Sequence, residues 1–239
     1  MDGVALGARF SLATSRREYC GPAGASPALY AAILEGGDPA PAARALSSFE
    51  ALWPYLEVIA EKHGRAPLDL DVVEAYWIGN ELLDAFERED FLPLLDRLVR
   101  RGLPRRIADR LAGSLPPGAI PHHTFHVIFV GVGNVTGHVP TNLESMEQCR
   151  PSWATVREVR ETELTVRIPR LVHAHGQLTT GPEEESTVDY DPRVLPDVRP
   201  GAAVALHWGW PAIVLSEEQR RNLEHYSRLS LAAANAAPP

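Results

Sequence analysis

Three histidines fall within five positions in IPHHTFHVIFVGVGNV (120–135): His122, His123 and His126. Imidazole nitrogen is a donor that zinc and iron both accept. On a helix, His122 and His126 would share a face and could chelate one ion. The VIFVGVG that follows is rich in β-branched and aromatic residues and predicts a strand over 125–133 instead. At about 3.3 Å per residue, His122 and His126 would then stand about 13 Å apart on one face with Thr124 and Ile128. His123, Phe125, Val127 and Phe129 take the opposite face, the expected core side. His126 is expected at the junction of two structural regions, beside Glu74 or His207. The plain alternative is a strand with a polar lip of hydrogen-bonded histidines.

Further donors lie outside this segment. Cys149 and His207 are either a buried thiol beside a sheet histidine or two ligands of one ion. Shared ligation puts their donor atoms within about 4–5 Å. Cys20, in EYCGP, precedes a Gly-Pro turn and is a second thiolate ligand, a redox partner or a small buried residue. In VVEAYWIGNELLD (72–84), Glu74 and Glu81 lie two helical turns apart, near one face. Carboxylates so placed bind metal, act as a general base, or simply meet solvent. His173 and His175 decorate a hairpin loop. Neither cysteine belongs to a C-x-x-C, so there is no zinc ribbon. The glycines of VGVGNVTG (130–137) miss the dinucleotide spacing, and neither a P-loop nor G-x-S-x-G is present.

The elements that must position these donors divide the chain. Helices are predicted over 27–36, 41–64 with a break or kink at Pro54, 70–87, 90–102 and 104–113. SLPPGAIP (114–121) has the composition of a linker. Short β-branched runs follow at 154–159, 163–168, 186–191 and 202–208, separated by turns. A last helix carries a capping box at Ser216 and Gln219 and an apolar face of Leu223, Tyr226 and Leu231. The expected fold is α+β: a helical domain (1–118), then a small OB-like barrel with a C-terminal helix (119–239), the barrel spanning 150–215.

Composition narrows the setting. A 239-residue chain with 45% hydrophobic and 23% charged residues has the makings of a substantial core. Its net charge of −8 argues against nucleic acid or an anionic membrane as partner. No signal peptide is visible and no apolar run nears the ~20 residues of a membrane span, so a cytoplasmic protein is expected. Lys62 is the only lysine among 23 basic residues, a bias of coding rather than of function.

The stretch from Cys149 through SWATVREVRETELTVRI, and the later DVRPGAAVALHWGWPAIVLSEEQ, resemble the HypC/HupF family of NiFe-hydrogenase maturation chaperones. Cys149, Val156, His207 and Gly209 fall at matching motif positions, over about 149–235. The family's Pro-Gly is replaced by Trp153-Ala154, Cys149 lies mid-chain rather than beside an initiator methionine, and 169–185 lengthens the second hairpin. The whole chain also resembles an uncharacterised bacterial family associated with NiFe-hydrogenase gene clusters, through EYCGP, VVEAYWIGNELLD, PHHTFHV and VALHWGW. The resemblance implies iron, with or without cyanide and carbon monoxide, held by Cys149 and His207. It also implies a partner from the maturation complex or the hydrogenase large subunit. The competing expectation is an iron or zinc metalloenzyme built on His122, His123, His126 and the helical carboxylates.

Overall fold

A computed structural model describes residues 1–34 and 37–237. The first helix, α1 (Gly3–Arg16), is capped by Asp2, whose carboxylate accepts from the Ala5 N–H at 2.8 Å. Sequence patterning passes over α1 because it is buried on most of its circumference and shows no polar face. The predicted helix 27–36 is α2 (Ser26–Ile33); its last two residues, Glu35 and Gly36, lie outside the described residues.

Two expected helix boundaries move, each for a local reason. The 41–64 segment forms α3 (Pro39–Ser47) and α4 (Leu52–His63), parted at 48–51 and not at Pro54. Pro54 sits in the first turn of α4, where a backbone N–H has no intrahelical acceptor, so the ring costs no bond. The 70–87 segment stops as α5 (Leu70–Trp77) and resumes as a 3-10 turn over Glu81–Ala85. Gly79 forces the break: its φ is +94°, and a Cβ there would stand 2.2 Å from the Tyr226 ring. The helices α6 (Phe91–Arg100) and α7 (Arg105–Gly113) fall where patterning predicts them, but the helical region does not end there: helical segments continue to Cys149.

The strand expected at 125–133 is instead helical. A short helix, α8 (His123–Phe125), runs into a π-helical stretch, His126–Gly131. His122 caps it, its Nδ1 accepting from the Thr124 N–H at 3.2 Å. An apolar run with no polar alternation does not distinguish a buried strand from a buried helix. Here packing decides. Phe125 meets Phe91 and Phe129 at centroid distances of 5.0 and 4.9 Å, and His126 meets Tyr55 at 5.2 Å. A further helix, α9 (Leu143–Cys149), opens on an Asn142/Ser145 capping box and ends on the second cysteine.

The remainder is an antiparallel sheet and a final helix. Strands β1 (Ser152–Val159), β2 (Glu163–Ala174), β3 (Gln177–Asp189), β4 (Ala203–His207) and β5 (Trp210–Val214) take the spatial order β3-β2-β1-β4-β5. β3 and β5 approach each other without a ladder, so the sheet curls towards a barrel and stays open. The long β2–β3 hairpin turns at His175-Gly176, both left-handed, with φ of 53° and 78°. The closing helix, α10 (Glu217–Asn235), has the expected box: Ser216 Oγ accepts from Gln219 N–H, and Gln219 Oε1 from Ser216 N–H. At its end Asn235 bonds both backbone groups of Leu178, blocking part of the exposed β3 edge. One cluster of buried side chains runs from Leu6 to Ala233, through helices and sheet alike.

Candidate metal centre

The register of the sheet brings the first two donors together. β1 and β4 pair with Ser152 opposite Leu206, so the end of α9, just before β1, meets the end of β4. The Trp208 N–H, in a left-handed turn with φ 54°, donates to the Gln148 carbonyl at 2.6 Å. This bond ties the residue after His207 to the residue before Cys149. The other flank of Cys149 is fixed by Arg150, 1% exposed, whose guanidinium bonds Glu147 at 2.8 and 3.0 Å and the Pro169 carbonyl at 2.6 Å. Glu147 also accepts from the Leu171 N–H at 2.8 Å. A buried charge is tolerable only when paired and fully hydrogen-bonded, so this network fixes where α9 ends.

The third donor comes from α8. His123 Nε2 lies 3.6 Å from Cys149 Sγ, and His207 Nε2 lies 3.8 Å from it. All three donor atoms fall within 4.8 Å of one another, and all three residues are buried. Bonds of about 2.3 Å to sulfur and about 2.0–2.1 Å to nitrogen, opened by about 109–120°, place a sulfur and a nitrogen about 3.5–3.8 Å apart and two nitrogens about 3.3–3.6 Å apart. The two sulfur–nitrogen distances match this spacing, and the group could hold a metal ion. Both rings are engaged at the far nitrogen, as metal-binding imidazoles commonly are: His207 Nδ1 with the Phe10 carbonyl at 2.7 Å, His123 Nδ1 with the Tyr76 hydroxyl at 2.6 Å. Trp77 packs against both, its ring centroid 4.4 Å from His123 and 4.9 Å from His207, and stacks on Phe10.

Burial sets the charge state. It pushes the Cys149 thiol well above its ordinary range and holds His123 well below that of histidine; His207 is lowered to about 4. Without an ion the three groups are therefore neutral at pH 7. A buried thiol of this kind is a poor nucleophile, since the thiolate is the reactive form. A cation changes the balance by replacing the thiol proton.

The remaining candidates are not brought into the group. His122 faces the other way, towards Thr124 and Ser230, with its ring tilted on Tyr226 and its pKa lowered to about 3 by burial. His126 bonds Tyr55 through Nδ1 at 3.0 Å, its ring stacked 5.9 Å from that of His123. The expectation that His126 faces the junction and His123 the core side is reversed, because a helix and not a strand carries them. Glu74 accepts from Gln219 Nε2 at 2.6 Å, joining α5 to α10. Cys20 is half-buried, its thiol pushed up to about 12 by burial and by the charge of Glu50. It is not one of the three grouped donors. His173 and His175 are exposed around the hairpin tip, as expected. Nothing in the sequence marks Tyr76 or Phe10 as supporting residues; Tyr76 packs against Trp77 and also holds a ligand candidate.

Fold and site together define an α+β protein with a buried group of two imidazoles and one thiol. The chain belongs to DUF6390, a family of unknown function that matches residues 1–238. No curated protein and no solved structure matches it. Among the described residues, no helix is long and apolar enough to cross a membrane.

Proposed function

We propose that this protein captures one transition-metal ion through His123, Cys149 and His207 and serves as a cytoplasmic accessory protein in NiFe-hydrogenase maturation. The observation that carries the metal reading is the triad itself, three donors at ligand spacing with the far side of each ring occupied. Iron is the metal favoured by the resemblance to the maturation chaperones, and a thiolate with imidazoles suits it. Three protein donors leave positions for diatomic ligands or a partner's donor. The hydrogenase setting and a partner from the maturation complex or the large subunit rest on the resemblance alone. Burial of the triad favours retention of the ion over rapid exchange.

The count of three ligands also favours a second reading, an iron or zinc enzyme with one open coordination position. No carboxylate belongs to the triad to serve as its general base. Anaerobic purification from a hydrogenase-producing host, with metal analysis and infrared spectroscopy, separates the two. One metal per chain with cyanide and carbon monoxide stretches supports the accessory role; metal without them supports the enzyme. Protein that emerges metal-free and takes up none in vitro overturns both.

A further inference from the structure

The two imidazoles of the triad are oriented by unlike partners. A carbonyl only accepts, so the Phe10 oxygen, 2.7 Å from His207 Nδ1, fixes the proton there and leaves Nε2 with its lone pair. The Tyr76 hydroxyl, 2.6 Å from His123 Nδ1, both donates and accepts. Among the described residues the Tyr76 O–H has no other acceptor, so its proton is matched only by donating to His123 Nδ1. With Tyr76 donating, the His123 proton sits on Nε2 and points at Cys149 Sγ, 3.6 Å away. The thiol can then turn its own proton to His207 Nε2 at 3.8 Å. One directed chain results, from Tyr76 through His123, Cys149 and His207 to Phe10, with every donor matched to an acceptor. In this state His207 is ready to bind a metal and His123 is not.

We propose that Tyr76 is the positioning residue that makes His123 a metal ligand, its hydroxyl turning from donor to acceptor at Nδ1 as the ion enters. The inference rests on the metal reading of the triad. Two protons leave the space between the donors, from the thiol and from His123 Nε2. One is regained at His123 Nδ1, which then donates to Tyr76, and one passes to solvent. The rings need not move. Tyr76 is packed by Tyr55 at 5.2 Å and Trp77 at 4.9 Å, and Trp77 in turn braces both imidazoles. His207 is thus the committed ligand and His123 the switchable one, the first to let go when the ion is released.

Nitrogen-15 NMR of the histidine side chains reads the tautomers directly. His123 is expected to carry its proton on Nε2 without metal and on Nδ1 with one equivalent of zinc, while His207 stays protonated on Nδ1 throughout. Tyr76→Phe is expected to weaken zinc and cobalt binding by roughly 10–100-fold. The sulfur-to-cobalt charge-transfer band should persist, because Cys149 and His207 still bind. A His123 protonated on Nδ1 in both states, or wild-type affinity in Tyr76→Phe, overturns the role of Tyr76 and leaves the metal site standing. Wild-type protein that binds neither zinc nor cobalt overturns the site and this inference with it. The tautomer measurement needs no variant, so a Tyr76→Phe chain that fails to fold does not remove the test.

Discussion

Acidifying the metal-free protein from about pH 7.5 to about pH 5 should remove much of its stability, and the buried histidines give the size of the effect. Burial lowers His126 and His207 from an ordinary 6.5 to about 4, and His122 to about 3. The unfolded chain therefore binds more protons than the folded one below about pH 6.5. Stability is full above the unfolded value and is lost as pH falls towards the folded values. At pH 5 each of these histidines withholds about 2 kcal/mol, so the three together cost about 6 kcal/mol. His123, lowered further, adds in the same direction. Native domains hold only about 5–15 kcal/mol in total, so the loss is a large share. Urea unfolding followed by tryptophan fluorescence at stepped pH is the assay, with chelator present. Near pH 5 the stability should fall by at least about 4 kcal/mol per pH unit, the slope for three protons, and more steeply with His123. A urea midpoint at pH 5 equal to that at pH 7.5 would refute the claim that these imidazoles are buried and neutral.

Zinc at 100 times its Kd should stabilise the protein by about 2.7 kcal/mol, raising Tm by roughly 5–10 °C. Cys149→Ser and His207→Ala should abolish that rise, and calorimetry with and without zinc checks it. Arg150→Ala removes the partner of the Pro169 carbonyl and the shorter of Glu147's two arginine pairs, leaving Arg170 at 3.4 Å; it should cost about 3 kcal/mol in denaturant unfolding and weaken zinc binding by displacing Cys149. Gly79→Ala forces a Cβ into the Tyr226 ring at a positive φ and should cost more than about 2 kcal/mol, seen as a lower urea midpoint.

The limits of legibility follow from what kind of information each element uses. The capping box of α10 and the strands β1, β2 and β4 were readable because their signals are local: a side chain bonds a backbone group three residues away, or β-branched runs sit between turns; β5 and most of β3 were not read. The helix ends at 48–51 and Gly79 were not, because the first depends on where Pro54 falls in its turn and the second on a ring from α10. At the candidate site, the pairing of Cys149 with His207 came from motif order and not from spacing. They are 58 residues apart, and only the β1–β4 register explains their 3.8 Å separation. His123 was named among the metal candidates, but its meeting with Cys149 and His207 was unreachable by either route. Read as a strand, the histidine segment sends His123 into the apolar core with Phe125. As a helix running into a π-turn, it sends Phe125 to Phe91, His126 to Tyr55 and His123 to the thiol. The residue types disclosed that a metal could be held, and the backbone period decided which histidine would hold it.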